Sequence, residues 1–190
     1  MRRRVLALIS IALLASAVAA CGSSNTDDAV RQAAVRDAGA TVMPFDLDKT
    51  KHYFEKSDTG GVQTVVALVP SDADQVRLAR EHLHEIQIEF SAGRFDDPMA
   101  IHGADMPGVK ALSEGAARFE ISYADVDGGG QITYRTDDDT LVTALHDWFD
   151  AQLSDHGTDA ITGMPDNNMT PEMWHKHHPG EPYPGTTDGN

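Results

Sequence analysis

Apolar residues along the chain follow two spacings, which together predict a mixed fold. Thr50 to Lys56 and Val62 to Val69 are rich in aromatic and β-branched residues, and a glycine-containing loop separates them. This pattern predicts a β-hairpin. After Ser71 and Asp72, either of which can cap a helix, apolar residues recur three and four positions apart, as on an amphipathic helix of about 20 residues. They are Val76, Ala79, Leu83, Ile86 and Phe90.

The second half of the chain repeats this order of elements. Ala117 to Asp125 and Gln131 to Thr136 predict two more strands around a glycine-rich turn. Residues 137–139 offer N-caps for a second helix, which Gly157 ends. We therefore expect an α+β fold: a duplicated ββα unit forming a four-stranded antiparallel sheet with two helices on one face. Alternatively, two unrelated hairpin–helix units share only their turn chemistry.

The N-terminus carries the features of an export signal. Three arginines, Arg2 to Arg4, precede the 16-residue apolar run from Val5 to Ala20. That run is shorter than the roughly 20 residues that a membrane-spanning helix needs, so residues 1–20 are predicted to be a signal peptide.

The residues that follow the apolar run resemble the bacterial lipobox, as Val18-Ala19-Ala20-Cys21. In lipoproteins with this motif the cysteine is lipidated and begins the mature chain. Cys21 is also the only cysteine, which excludes an intramolecular disulfide. We expect an extracytoplasmic protein, lipid-anchored to the outer face of the cell membrane. A plain secretory cleavage beside an incidental cysteine is the alternative.

Composition divides the remainder into three parts. Residues 21–43 are small and polar at first and are predicted to be a lipidated tether, within which 29–38 could form a short helix. Residues 44–157 are predicted to be a single α+β domain. Five prolines follow residue 157, so 158–190 is predicted to be a disordered tail rich in Met, His and Pro.

The net charge of −15 argues against nucleic acid or an anionic membrane surface as a partner.

Histidine and methionine are the candidate ligands, with nine and seven copies in the chain. Outside the cytoplasm, thioether and imidazole together suit copper, because soft sulfur favours Cu(I) and imidazole serves both oxidation states. A histidine on an apolar helix face is more often a hydrogen-bonded core residue than a ligand, and this alternative stays open. A second, flexible copper site is predicted in the tail, from Met169, Met173, Trp174, His175, His177 and His178.

The helical periodicity indicates which histidines could form a core site. His156 lies at the centre of the second helix's apolar stripe, and His82 flanks the stripe of the first. Both stripes must face the same side of the sheet, and the loop between the halves carries His102 and Met106 across the domain. The predicted core metal site therefore consists of His82, His102, Met106 and His156, with His52 and His146 in reserve.

Motifs for common enzymes are absent from the sequence. There is no Gly-x-Ser-x-Gly, P-loop or Gly-x-Gly-x-x-Gly, and the near-match to a zinc-protease motif at His84 has Ile88 where the second ligand is needed. The favoured function is metal binding, with copper as the preferred ion, for buffering or delivery. A small metalloenzyme, a zinc or haem protein and a non-metal interaction module are the alternatives.

Three stretches resemble a group of small exported actinobacterial proteins of unassigned role. They are 43–48 (MPFDLD), 102–108 (HGADMPG) and 148–157 (WFDAQLSDHG), and the resemblance covers roughly residues 43–160. Proteins of that group are often labelled aspartate carbamoyltransferase. This sequence contradicts the label, because it has no Ser-Thr-Arg-Thr phosphate loop and is too short for the two α/β domains that such enzymes need.

Overall fold

The computed structural model describes residues 23–166, 169, 171, 174–175 and 179–182, so Cys21 lies outside the described residues. None of the helices in these ranges has the length and apolar character needed to cross a membrane. The helices are α1 (Ser23–Val42), α2 (Ala73–Ser91), α3 (Asp96–His102), α4 (Val109–Gly115) and α5 (Asp139–His156). The strands are β1 (Thr50–Ser57), β2 (Gly60–Ala67), β3 (Glu120–Val126), β4 (Gly129–Arg135) and β5 (Ala160–Thr162).

The α+β class predicted from the sequence is confirmed. Strands β1 and β2 form one antiparallel hairpin, β3 and β4 form another, and the two join through antiparallel pairing of β2 with β4. Helices α2 and α5 follow the two hairpins and begin at the expected caps, Asp72 and Asp138, whose carboxylates accept hydrogen bonds from the first turns. Both helices pack their apolar stripes on the sheet, around the buried Phe54, Phe90 and Trp148.

The prediction of a four-stranded, wholly antiparallel sheet is wrong, since the sheet has five strands and is mixed. Its order is β3-β4-β2-β1-β5, and β5 runs parallel to β1, with Ala160 opposite His52. A three-residue 3-10 turn, Gly157–Asp159, connects α5 to β5. Strand β5 is three residues long and falls short of the length at which alternation is recognisable. The folded part of the chain thus continues beyond residue 157.

Helix α1 occupies most of the segment predicted to be a tether. Its Val35 is buried, and its arginines reach acidic groups elsewhere in the domain. Arg31 pairs with Asp155 at the end of α5, and Arg36 pairs with Asp48 and Asp159. The periodicity of α1 is weak because its buried positions, Val35 and Gly39, include only one sizeable apolar side chain, which is why the sequence pattern predicts little here.

The C-terminal segment covers the other face of the sheet. Met164, Met169 and Trp174 are buried in a small apolar cluster with Val62 of β2. Side chains alternate between the two faces along a strand, so Val62 points away from the face on which its neighbour Gln63 and the helices lie. These three tail residues are therefore part of the fold.

The link from α3 to α4 touches α5 closely at Gly108. Gly108 has a φ of 76°, a region that side chains other than glycine rarely adopt. A Cβ atom there would lie 2.0 Å from the carbonyl oxygen of Ala144 in α5. Glycine at this position lets the link lie against α5 at the start of α4.

We predict that Gly108→Ala lowers the free energy of unfolding by about 2–4 kcal/mol, because the backbone strain and the steric clash add. Gly128→Ala is the matched control. Gly128 has nearly the same φ, 75°, but the nearest atom to an added Cβ is 3.8 Å away, so only the strain of about 1–2 kcal/mol is expected. Urea denaturation of the two variants measures the difference. Equal losses would show that the contact with α5 is unimportant.

Candidate functional site

Four histidines from four different elements meet near the C-terminal end of α5. The rings of His52 and His156 stack with their centroids 5.0 Å apart. The ring of His102 meets that of His156 edge-on, also with a centroid distance of 5.0 Å. His82 joins them across Phe45, whose ring centroid is 5.6 Å from that of His82 and 6.0 Å from that of His52. We call His52, His82, His102 and His156 the histidine cluster.

The local structure explains why these four residues converge. His156 is the last residue of α5, and the short turn after it leads directly into β5, where Ala160 pairs with His52. His102 is the last residue of α3, which packs against α1, and its ring reaches Asp155 at the same end of α5. His82 lies on the side of α2 that faces the sheet and is buried there.

A carboxylate holds the His102 ring in place. Nδ1 of His102 lies 2.9 Å from Oδ2 of Asp155, so Nδ1–H donates to the carboxylate and Nε2 keeps its lone pair. Arg31 donates to the same carboxylate through Nε, at 3.0 Å, and to the backbone carbonyl of His102, at 2.6 Å. Burial raises the pKa of Asp155, but the hydrogen bonds from Arg31 and His102 outweigh it and lower the pKa below its ordinary value.

The His156 ring is held in a similar way by an amide. Its Nε2 lies 3.0 Å from Oε1 of Gln152, one helical turn earlier. Nε2–H therefore donates to the amide oxygen, and Nδ1 keeps its lone pair. Both rings thus use one nitrogen for a fixed hydrogen bond, which leaves the other nitrogen unprotonated.

Burial keeps all four histidines neutral at pH 7. It is the largest cause of the lowered pKa at each position, and it lowers the pKa of His156 to about 4. Proximity adds to the effect, because positive charge on His156, His82 or His102 would further disfavour protonation of His52. At His102 the nearby Asp155 opposes burial without overcoming it. The cluster is a set of neutral imidazoles, the protonation state that binds metal ions.

Besides a surface cleft lined by His102 and Asp155, two cavities adjoin the cluster. The inner one has a volume of about 40 Å³ and lies between α2, α3, α5 and the sheet. Among the residues that line it are His52, His82, His102, Gln63, Trp148 and Gln152. The outer one, of about 190 Å³, lies beneath α1 and is lined in part by His52, His156 and Arg36. His52 lines both cavities, so it separates the inner space from the outer one.

Two other predicted ligands, Met106 and His146, lie outside the histidine cluster. The buried Met106 packs in the apolar core and lines a surface cleft beside His102. The Nε2 atom of His146 lies 2.9 Å from the carbonyl oxygen of Gly60, in the β1–β2 turn, so this reserve histidine is not in the cluster. The other reserve histidine, His52, is at the centre of the cluster.

The predicted tail site is only partly within the described residues. Met169 and Trp174 are buried with Val62 on the opposite face of the sheet, and His175 is exposed. Met173, His177 and His178 lie outside the described residues. The described part of the tail therefore places two of the predicted ligands in an apolar cluster.

Sequence reasoning missed the residues that hold the histidines. Asp155, directly before His156, and Gln152, one turn before it, were detectable as neighbours on the second helix. Arg31 had no such signal, because its partner Asp155 is 124 residues away. Trp148 fits the apolar stripe and so resembles any other core residue.

The histidine cluster is not a finished coordination sphere. Within the described part of the chain, no three His, Cys, Asp or Glu side chains are positioned to bind one metal ion together. Comparisons with known protein families, curated proteins and solved structures found no match for this chain.

We predict that the metal-free protein loses stability as the pH falls from about 6.5, the ordinary pKa of histidine, towards the pKa of about 4 of folded His156. In this window the unfolded chain binds protons that the folded histidines reject, so the free energy of unfolding falls by about 1.4 kcal/mol per pH unit for each such proton. The charged groups that act on the cluster are Asp155, Arg31, Lys51, Asp97 and Glu85.

Urea denaturation at a series of pH values measures this effect. Asp155 changes the stability only at lower pH. Its pKa in the folded protein lies below the ordinary value of 3.8, so the stability that it adds is lost as the pH falls below that value. His156→Gln should make the pH dependence shallower, whereas His84→Gln, at an exposed position outside the cluster, should leave it unchanged. Constant stability between pH 7 and pH 5 would contradict the prediction.

Proposed function

We propose that this protein is an extracytoplasmic, membrane-anchored lipoprotein that binds a transition-metal ion at the histidine cluster, with copper the preferred ion, for buffering or delivery. The observation that carries the proposal is the cluster of neutral imidazoles, three buried and the fourth, His156, partly buried, two of which are oriented by hydrogen-bond acceptors. Polar rings gathered in an apolar interior cost folding free energy, and perturbed groups of this kind concentrate at functional sites.

The hydrogen bonds of the cluster support a metal ligand role in particular. Histidines that bind metals donate their second ring N–H to a carboxylate or carbonyl, which sets the tautomer and the ring orientation. Asp155 accepts this hydrogen bond from His102, and Gln152 accepts it from His156. Because the imidazoles are already deprotonated at neutral pH, metal binding there releases few protons.

The choice of copper rests on the imidazoles. Among divalent ions of the first row, Cu²⁺ binds nitrogen ligands most tightly, ahead of Zn²⁺. The Met106 thioether, which first suggested copper, packs in the core and adds no support. Zinc is the second candidate, since imidazole suits it also.

A lipid on Cys21 would hold the domain close to the membrane. Helix α1 begins at Ser23, two positions after Cys21, and its Arg31 and Arg36 pair with acidic residues of the domain. The cluster lies beneath this helix, so the proposed metal site is near the anchored end of the molecule.

The metal site is tested by titrating the purified mature protein with Cu²⁺ and Zn²⁺ and measuring affinity and stoichiometry. His102→Ala and His156→Ala should each weaken binding at least about 100-fold, more than the loss of an outer partner does. The losses should be non-additive if both residues bind one ion. The exposed His84→Ala is the control. Wild-type affinity in both cluster variants would overturn the proposal.

Replacing the hydrogen-bond acceptor gives an independent test of the same site. Asp155→Asn keeps the shape but removes the charge that orients His102, and we expect a 10- to 100-fold loss of metal affinity. Asp150→Asn, on the exposed side of the same helix, should leave the affinity unchanged. Thermal unfolding of the metal-free variants shows whether the loss comes from instability instead.

The anchor is tested separately. Cys21→Ala should move the exported protein from the membrane fraction to the soluble fraction, because the apolar run before it is too short to remain as a membrane span. Cell fractionation followed by immunoblotting measures this. A variant that stays in the membrane fraction would contradict the lipoprotein assignment and leave the metal site untouched.

A further inference from the structure

Helix α1 is attached to the domain with little help from apolar packing. Among residues 26–42, whose exposure the structure describes, only Val35 and Gly39 are buried. In α2, by contrast, six residues are buried, most of them apolar. A packed apolar face is what normally holds a surface helix in place. Most of the attachment of α1 must therefore come from polar contacts.

Three polar side chains of α1, Arg31, Gln32 and Arg36, make these contacts. Their partners lie at the end of α5 and in the turns beside it, and they are Asp48, Ser154, Asp155 and Asp159. The side chains of Arg31 and Arg36 are 48% and 39% exposed. Ion pairs at such exposed positions contribute little free energy each, and salt weakens them. Helix α1 is thus held by contacts with which the solvent competes.

The outer cavity lies between this helix and the histidine cluster. Val35 and Arg36 are among the α1 residues that form one wall, and His52 and His156 belong to the opposite wall. That opposite wall is built on β1 and α5, which are fixed by the sheet and the core. Displacement of α1 therefore removes one wall of the cavity and exposes this side of the cluster to solvent.

We propose that α1 is a displaceable strap: it opens and closes over the outer cavity while the rest of the domain stays folded, and so controls access to His52 and His156. The inference concerns access to the cluster and does not depend on a bound ion. A released α1 should also lose its helical structure, because a single helix of this length that contains Gly39 has little stability in water.

Hydrogen–deuterium exchange of the purified metal-free protein, followed for each residue by NMR, measures the opening. The amides of Val35 and Gly39 report on α1, and the amide of Val65, in the middle strand of the sheet, reports on global unfolding. We expect the α1 amides to exchange at least about tenfold faster than the amide of Val65. Equal rates of opening would overturn the proposal, because α1 would then open only when the whole domain unfolds.

Two variants separate local opening from global unfolding. Arg36→Gln removes two ion pairs of α1 and should speed exchange of the α1 amides about 3- to 10-fold. Ile132→Val is the matched control, since it weakens the buried core far from α1 and should speed exchange at Val65 but not in α1. Unchanged α1 exchange in Arg36→Gln, or faster α1 exchange in Ile132→Val, would contradict the strap.

Chemical labelling tests access to the cluster itself. Diethyl pyrocarbonate modifies neutral imidazoles that it can reach, and mass spectrometry measures each histidine separately. Arg36→Gln should raise the rate of modification at His156 by the same factor as the rate of α1 exchange. His84, which is exposed on α2, should react equally fast in both proteins. An unchanged rate at His156 despite faster α1 exchange would show that α1 does not control access.

Salt gives a test on the wild-type protein, which decides if Arg36→Gln does not fold. About 1 M NaCl screens the ion pairs of α1 and should speed exchange of its amides. The same salt screens the repulsion that the net charge of −15 causes, which stabilises the whole fold and should slow exchange at Val65. The strap thus predicts changes of opposite sign, and slower exchange at both places would overturn it.

Discussion

The parallel pairing of β5 with β1 is the contact on which the site depends. It places Ala160 opposite His52, and the three-residue turn before β5 then leaves His156 no position except beside His52. Helix α5 thereby ends over the edge of the sheet, where Asp155 can reach both His102 and Arg31. One short strand accordingly assembles residues from β1, α1, α3 and α5, although it adds only three residues to the sheet.

The electrostatics of this region divide into two parts. Inside, four imidazoles are kept neutral by burial, and His52 is disfavoured as a cation by each of the other three. At the edge, Asp155 is ionised and compensated by Arg31, which is about half exposed. The negative charge of Asp155 therefore fixes the tautomer of His102, and because Arg31 pairs with it, no unpaired charge is placed in the interior.

Much of this fold was predictable, because its main elements carry strong local signals. The hairpins, Asp72, Asp138 and the stripes of α2 and α5 all agree with the structure, and the burial of His82 follows from its place at the edge of a stripe. Strand β5 was not predictable and helix α1 was expected only as a short helix over 29–38, since both are held by distant partners: Ala160 by β1, and Arg31 by Asp155. For the same reason His52 was predicted only as a reserve ligand, because its neighbours in the cluster come from β5 and α5 and not from its own hairpin.

The position of His52 between the two cavities constrains how the site can work. An ion or small ligand that moves from beneath α1 into the inner cavity passes His52, whose ring stacks on that of His156. If a metal ion binds at the cluster as proposed, its exchange along this route would be coupled to the packing of α1, because Arg36 of α1 lines the outer cavity and pairs with Asp48 and Asp159.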